Sequence, residues 1–402
     1  MISNKGADYI IEQLEKNGYE CYYVGGCVRN AYLNIKIDDY DLTTSATPDE
    51  ICNLFSSKKL LTVGKKHGTI CVEIDGNFYE ITTFRTDLDY INHRAPQSVE
   101  FCATLEEDLS RRDFTINAMA FNKKRGVIDN FNGINDCKNK ILRCVGNPFE
   151  RFEEDALRIL RGIRFASVYG LKVDELTAKA MHDKKSLLNA ISKERVLTEL
   201  TKILLGKRAS CVLEEFWDIF CEIMPELAQI KNKKLLYNAI SLSEKDLNQR
   251  FALLFIENSK QFSEIARKLK FSNELKNKIA LIYENIEFTD YTNPTAIKLL
   301  MCKIDKQIFD LLSFKRTLAI AQNSNEEKNA IEGAIDCSKK IIDNNECYSI
   351  SQLAINGNHL QDAGYKGQII GEMLNFALNC VILGKISNDT SKLLNLIKKN
   401  YE

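Results

Sequence analysis

Tyr22-Tyr23-Val24-Gly25-Gly26-Cys27-Val28-Arg29 and, shortly after, Asp39-Tyr40-Asp41-Leu42-Thr43 form the stretch from which fold and chemistry can be read. An apolar β-type run ending in Gly25-Gly26 and continuing through Cys27 to Arg29 reads as strand, tight turn and helix start. Paired glycines let a backbone approach a triphosphate closely, with helix-terminal N–H groups and Arg29 balancing its charge. Two acids two apart on a strand point to one face, so Asp39 and Asp41 could share one or two divalent ions while Tyr40 and Leu42 turn to the core. Taken singly, Gly25-Gly26 is a plain turn and Asp39/Asp41 a polar strand end. Their order and proximity point to nucleotide chemistry.

Short β-type runs flank this stretch: Glu20–Val24, Leu60–Val63, Thr69–Ile74, Phe78–Phe84 and Ala118–Phe121. Asp75-Gly76-Asn77 between two of them is a hairpin turn signal. Helices are expected over Lys5–Asn17 and Pro48–Phe55, the second with Thr47 as N-cap, Pro48 in the first turn and Glu50 at the capping-box position. Beyond Pro148 the pattern changes to apolar residues three and four apart, as in Ala156/Ile159/Leu160/Ile163 and Val196/Leu200/Ile203/Leu204. The expected class is α+β: a small-sheet head followed by an all-helical remainder, with breaks near Gly170, Gly206 and Gln322–Lys328.

Composition narrows the possibilities. At 402 residues and 45% hydrophobic content the chain is globular and long enough for two to four domains. No run of about 18 uncharged apolar residues could span a bilayer, and nothing at the N-terminus reads as a signal peptide. Acidic and basic residues balance at 55 each, so net charge neither favours nor excludes a nucleic-acid partner. The 13 cysteines are scattered singly and only four histidines occur, none at ligand spacing. This points to reduced thiols, a cytoplasmic location and no zinc site.

Two further constellations carry chemistry. Arg111-Arg112-Asp113-Phe114-Thr115-Ile116-Asn117-Ala118 precedes an apolar strand, and Glu154-Asp155-Ala156-Leu157-Arg158-Ile159-Leu160-Arg161 continues to Arg164 on a helix. On that helix Asp155 and Arg158, and Arg158 and Arg161, are three apart and so neighbours. Each alone would serve as a surface ion-pair set.

In this order, Gly25-Gly26, Asp39-x-Asp41, the Arg111-Arg112-Asp113 run and Glu154-Asp155-x-x-Arg158 resemble the motifs of class II tRNA nucleotidyltransferases. These are the CCA-adding enzymes, within the polymerase-β type superfamily that includes bacterial poly(A) polymerases. Asp129-Asn130-Phe131-Asn132-Gly133 is similar to the motif that follows, with Asn132 replacing a usual Gly; Asn30 stands where Asp is common. Ile191–Arg195 with Glu199 resembles a motif that braces the neck helices. Thr82–Asp87 with the polar loop through His93–Pro96 resembles the flexible loop of full CCA-adding members, and Ile355–Leu360 with Gly364, Gly367 and Gly371 resembles the tail.

The resemblance implies a nucleotidyltransferase head (1–147), a nucleotide-selecting neck (148–215), a helical body (216–340) and a tRNA-binding tail (341–402). It implies Mg²⁺ on Asp39 and Asp41, with Glu80 as a third catalytic acid. It implies nucleotide contacts from Gly26, Arg29, Arg112 (Arg111 second), Asp155, Arg158, Arg161 and Arg164, with Asp155 and Arg158 selecting the base. The last assignment has a physical basis. A carboxylate only accepts hydrogen bonds and a guanidinium only donates them. Cytosine and adenine each present an amino donor beside a ring acceptor, matching that pair; uracil and guanine present the reverse and would leave charged groups unpaired. Each mismatch costs roughly 1–3 kcal/mol or more, enough for about 10–100-fold rejection.

The implied activity is template-independent addition of CCA to the 3′ end of tRNA from CTP and ATP, with tRNA gripped at its acceptor and T arms and no membrane involved. Alternatives are a bacterial poly(A) polymerase, a CC-only or A-only tRNA nucleotidyltransferase, and a catalytically lapsed tRNA-binding protein. Clustered carboxylates have little use without a metal, which weighs against the last.

Overall fold

The structure, a computed structural model, describes residues 2–88, 98–101 and 104–401. Residues 89–97 of the expected flexible loop, including His93–Pro96, lie outside them, as does Cys102. The chain divides into two compact units, Met1–Gln229 and Ile230–Glu402.

The first unit opens with α1 (Lys5–Lys16), capped by the Asn4 side chain, which accepts from the Gly6 and Ala7 amides. It continues with β1 (Cys21–Val24), α2 (Gly26–Tyr32), β2 (Leu42–Thr44), α3 (Pro48–Leu54), β3 (Leu60–Leu61), β4 (Thr69–Ile74) and β5 (Asn77–Thr83). The expected capping box is present on α3: Thr47 accepts from the Glu50 amide, and the Glu50 side chain accepts from Thr47. The expected hairpin forms between β4 and β5, with Asp75 and Gly76 both at positive φ, as a tight two-residue turn requires. A side ribbon, β6 (Arg85–Leu88) and β7 (Ser98–Phe101), and α4 (Leu105–Ser110) lead to β8 (Ala120–Asn122), β9 (Gly126–Ile128), α5 (Gly133–Asn139) and β10 (Ile141–Leu142).

The main sheet runs β3-β4-β5-β2-β1-β8-β9 and is mixed, because β2 and β5 pair in parallel while their neighbours are antiparallel. Tyr22, Val24, Phe84, Leu105, Leu109, Ala118, Ala120 and Val145 form a core cluster beside its centre. β5 lies inside the sheet, so Glu80 sits on an interior strand.

After Asn147 the chain becomes helical: α6 (Pro148–Glu154), α7 (Leu157–Tyr169), α8 (Glu175–Asp183), α9 (Lys193–Leu204), α10 (Ala209–Glu215) and α11 (Trp217–Ile223). The exception to the all-helical expectation is β11 (Lys172–Val173), which pairs in parallel with β10. α7 ends at Gly170, in a left-handed conformation, and α9 ends just before Gly206. A Cβ on Gly206 would lie 2.0 Å from Ser167 Oγ, so only glycine allows this approach to α7.

The second unit is helical from α12 (Lys233–Leu242) to its last helix, Thr390–Tyr401. Its C-terminal helices close on Leu353, Ile355, Leu360, Met373, Ala377, Leu378, Leu393 and Ile397.

Candidate active site

The carboxylate end of the site is built by the sheet. Leu42 on β2 is in register with Ile81 on β5, and both are fully buried. The residue before each, Asp41 and Glu80, therefore turns to the other face, and the acid leading into β2 comes beside the one on β5. Asp39 and Asp41 themselves are not on a strand: they form an extended lead-in to β2, tied to β1 by the Val24 amide donating to the Asp41 carbonyl at 3.0 Å. Partial desolvation in the cavity wall and the nearby Glu80 push the Asp41 carboxyl above its ordinary value, with Arg112 opposing. Gly25 takes φ +67° at the turn into α2, and a Cβ there would meet Arg112 Nη1 at 3.2 Å.

Among the described residues no three Asp, Glu, His or Cys side chains close into a metal cage. The donor set is nonetheless oxygen-only and mutually repelling. That suits a hard cation such as Mg²⁺, which is usually held by one or two carboxylates together with substrate phosphates.

The opposite wall comes from the segment around Arg111–Asp113 and from α7. Asp108 is fully buried and accepts from Arg111 Nη2 at 2.7 Å and Arg112 Nη2 at 3.0 Å. Burial opposes its ionisation, but the two arginines outweigh that and hold its pKa low. Asp113 accepts through Oδ1 from the Phe114 amide and Asn117 Nδ2, both at 2.9 Å. Through Oδ2 it accepts from Arg161 Nε at 2.9 Å and Nη2 at 2.6 Å. Burial again works against the charge, yet Arg161 and Asn117 pull the pKa down to about 2.

Asp155 does not lie within a continuous helix, as its spacing had implied. It has extended geometry (φ −135°, ψ 103°) at the break between α6 and α7, where its Oδ1 accepts from the Leu157 amide at 3.0 Å. Arg195 Nη2 stands 3.6 Å from its other oxygen. Arg158, 7% exposed, donates to Glu154 Oε2 at 2.5 Å and to the Arg111 carbonyl at 3.0 Å. Arg164 pairs with Glu199 at 3.2 Å and stacks on Phe165 at 4.4 Å.

Both walls line one cavity of about 740 Å³. Gly26, Arg29, Asp41, Glu80, Arg111, Arg112, Asp155, Arg158, Arg161 and Arg164 all face it; Asp39, exposed on the lead-in, is not among its lining residues. Nine lining side chains are cationic and four acidic, an excess suited to a polyphosphate. Phe165, Tyr169 and Lys202 also line it and were not picked out from the sequence. Phe165 and Tyr169 continue the Arg158/Arg161 stripe at helical spacing, a signal that was available. Asn117 stood within a quoted motif, but nothing local marked it as part of the site.

The chain is similar to known proteins along nearly its whole length. A model described as "Poly A polymerase head domain" matches residues 21–143, and the tRNA nucleotidyltransferase domain 2 model matches 243–397. A CCA-adding enzyme of Ligilactobacillus salivarius is 35% identical over 98% of this chain and 96% of its own length. The chain belongs to the CCA-adding enzyme family. A Streptococcus suis CCA-adding enzyme is likewise 35% identical, over 97% of this chain and 95% of that protein. The crystal structure of the Bacillus stearothermophilus CCA-adding enzyme in complex with CTP superposes with a TM-score of 0.80 at 29% identity, covering 98% of this chain and 96% of that one. A Thermotoga maritima CCA-adding enzyme complexed with tRNA shares the fold, with a TM-score of 0.68 at 20% identity over 100% of this chain and 97% of that one. CCA-adding enzymes are tRNA nucleotidyltransferases, and this chain is one of them. Among the described residues no helix is long and apolar enough to cross a membrane.

Proposed function

We propose that this chain extends tRNA lacking its 3′ terminus by C, C and A, using CTP and ATP without a nucleic-acid template. The observation that carries the reading is a single cationic cavity with Asp41 and Glu80 on one wall and the Asp155/Arg158 pair on the other. The tRNA 3′-hydroxyl attacks the α-phosphorus of the incoming nucleotide, the new phosphodiester forms, and pyrophosphate leaves. Asp39 and Asp41 would hold Mg²⁺, which when bound lowers the pKa of the attacking hydroxyl and neutralises the triphosphate. Glu80 is the third acid beside them. The turn at Gly26, with Arg111, Arg112 and Arg164, takes the triphosphate and sugar. Arg161, a third exposed, and Arg29 border the same seat, although both donate to protein partners.

Asp155 accepts from the amino group of C or A while Arg158 donates to the ring nitrogen, so U and G are rejected. Arg158 must release part of its hold on Glu154 to do this. In this reading residues 1–147 catalyse, 148–215 choose the nucleotide, and the body (216–340) and tail (341–402) grip the tRNA by phosphate and shape contacts. The reaction is placed in the cytoplasm, where tRNA and nucleotides are available.

The test is a gel of tRNA lacking CCA, incubated with each nucleotide separately and with CTP plus ATP. Two additions from CTP alone and a third only with ATP support the reading, as does loss of all incorporation in Asp41→Ala with tRNA binding retained. Equal use of UTP and GTP, or long ladders from ATP alone, would refute it.

A further inference from the structure

Arg29 and Arg161 are joined through a chain of side chains that closes on itself. Arg29, on α2, is 7% exposed. Its Nη1 donates to Asn117 Oδ1 at 2.7 Å and its Nη2 to the Tyr169 hydroxyl at 2.7 Å, while Nε and Nη2 also donate to Asn30 Oδ1. Asn117 passes the connection on through Nδ2 to Asp113 Oδ1, and Asp113 holds Arg161 through Oδ2. Tyr169 and Arg161 both belong to α7, eight residues and about 12 Å apart along its axis. Between them Phe165 fills the loop, with the guanidiniums of Arg29 and Arg161 5.3 and 5.6 Å from its ring centroid and Tyr169 stacked at 5.9 Å.

We propose that this circuit, Tyr169–Arg29–Asn117–Asp113–Arg161, sets the distance between the carboxylates and the base-reading pair, making Tyr169 and Asn117 positioning residues for base choice. Its members allow one arrangement only. Arginine donates, the carboxylate accepts, and the Asn117 amide between them must present its oxygen to Arg29 and its nitrogen to Asp113. A reversed amide would meet donor with donor and acceptor with acceptor.

The circuit also lies at the right place. α2 begins at the glycine turn beside the carboxylate wall. Arg161 follows Arg158 by one helical turn, so a shift of α7 against α2 carries Arg158 with it, and Asp155 through its hydrogen bond from the Leu157 amide. Misplacement by about 1 Å can cost a reaction roughly 100-fold. An apolar contact would join the two helices at least as stably, but a fully satisfied polar network specifies one geometry. The same contacts commit most of Arg29's donors to protein, leaving little for a triphosphate.

The inference rests on the CCA-adding reading, so its test does not require turnover. CTP and UTP binding are measured by calorimetry in the wild type, Tyr169→Phe and Asn117→Ala, with Trp217 fluorescence reporting melting. Tyr169→Phe keeps both rings stacked and opens one joint; Asn117→Ala opens another. The expected result is a roughly tenfold fall in the preference for CTP over UTP in both variants, with tRNA affinity unchanged. An unchanged preference in a folded variant overturns the proposal, whether or not its melting point has dropped. If either variant does not fold, the other decides by the same ratio. Failure of the wild type to incorporate CMP and AMP into tRNA would sink the functional reading instead, and would show in a separate assay.

Discussion

Replacing Asp113 by Asn keeps the shape and removes the charge. The native carboxylate uses one oxygen for the Phe114 amide and Asn117 and the other for the Arg161 fork. Asparagine has only one oxygen, so in either orientation its amino group must face a donor. Holding the Asp113 carboxyl at about 2 against an ordinary 3.8 corresponds to about 2 kcal/mol in favour of the folded, ionised form. The donor facing a donor adds about 1–2 kcal/mol, toward the low end because Arg161 can turn to water in the cavity. Asp113→Asn should therefore lose about 3–4 kcal/mol at neutral pH, toward the lower figure. The pH dependence follows from the sign of the shift. A depressed carboxyl pKa stabilises fully above the unfolded value near 3.9, and that stabilisation disappears as pH falls through about 2. At about pH 3 roughly half of the charge-dependent part should remain. Urea unfolding followed by Trp217, the protein's single tryptophan and part of the first unit, measures this at pH 7 and pH 3. An equal gap between wild type and variant at both pH values would show that the Asp113–Arg161 pair is not its source.

Other perturbations give sharp expectations. Gly206→Ala would place a Cβ 2.0 Å from Ser167 Oγ and 2.7 Å from the Ser167 carbonyl carbon, which no side-chain rotation relieves. The expected loss is about 1–3 kcal/mol, read as a lower urea midpoint by Trp217 fluorescence. Thr47→Ala removes the capping oxygen that accepts from the Glu50 amide at 3.4 Å and should cost about 1 kcal/mol in the same assay. If two or three of the cavity's surplus cations meet tRNA phosphates, affinity for tRNA lacking CCA should fall about tenfold between about 50 and 200 mM KCl. Filter binding would measure it, and a flat profile would remove those contacts.

Local features of the fold were readable because local chemistry determines them. The Thr47–Glu50 box, the Asp75-Gly76 turn and the glycine stops at Gly170 and Gly206 each depend on residues within a few positions. What escaped the sequence depends on pairings across long separations. Whether Glu80 lay at an edge or inside the sheet was decided by β2 pairing with β5 in parallel, which neither strand's pattern announces. The placement of Asp155 at a helix break was masked by apolar spacing that runs through α6 and α7 without a visible stop. Arg29 was chosen for its place after Gly25-Gly26, but its partners Asn117 and Tyr169 lie 88 and 140 positions away. The candidate site's members were thus largely legible as residue types, and their division between ligand-facing and protein-facing work was not.

The parallel register joins Asp41 to Glu80 within the first part of the chain, whereas the proposed base-reading pair comes much later in the sequence. The ribosome releases Asp41 more than a hundred residues before Asp155, roughly 6–20 s at ordinary bacterial synthesis rates. During that interval, on the proposed roles, the growing polypeptide carries the carboxylate wall and lacks the base-reading pair. If discrimination rests on Asp155 and Arg158 as proposed, base choice becomes possible only once that later segment has emerged.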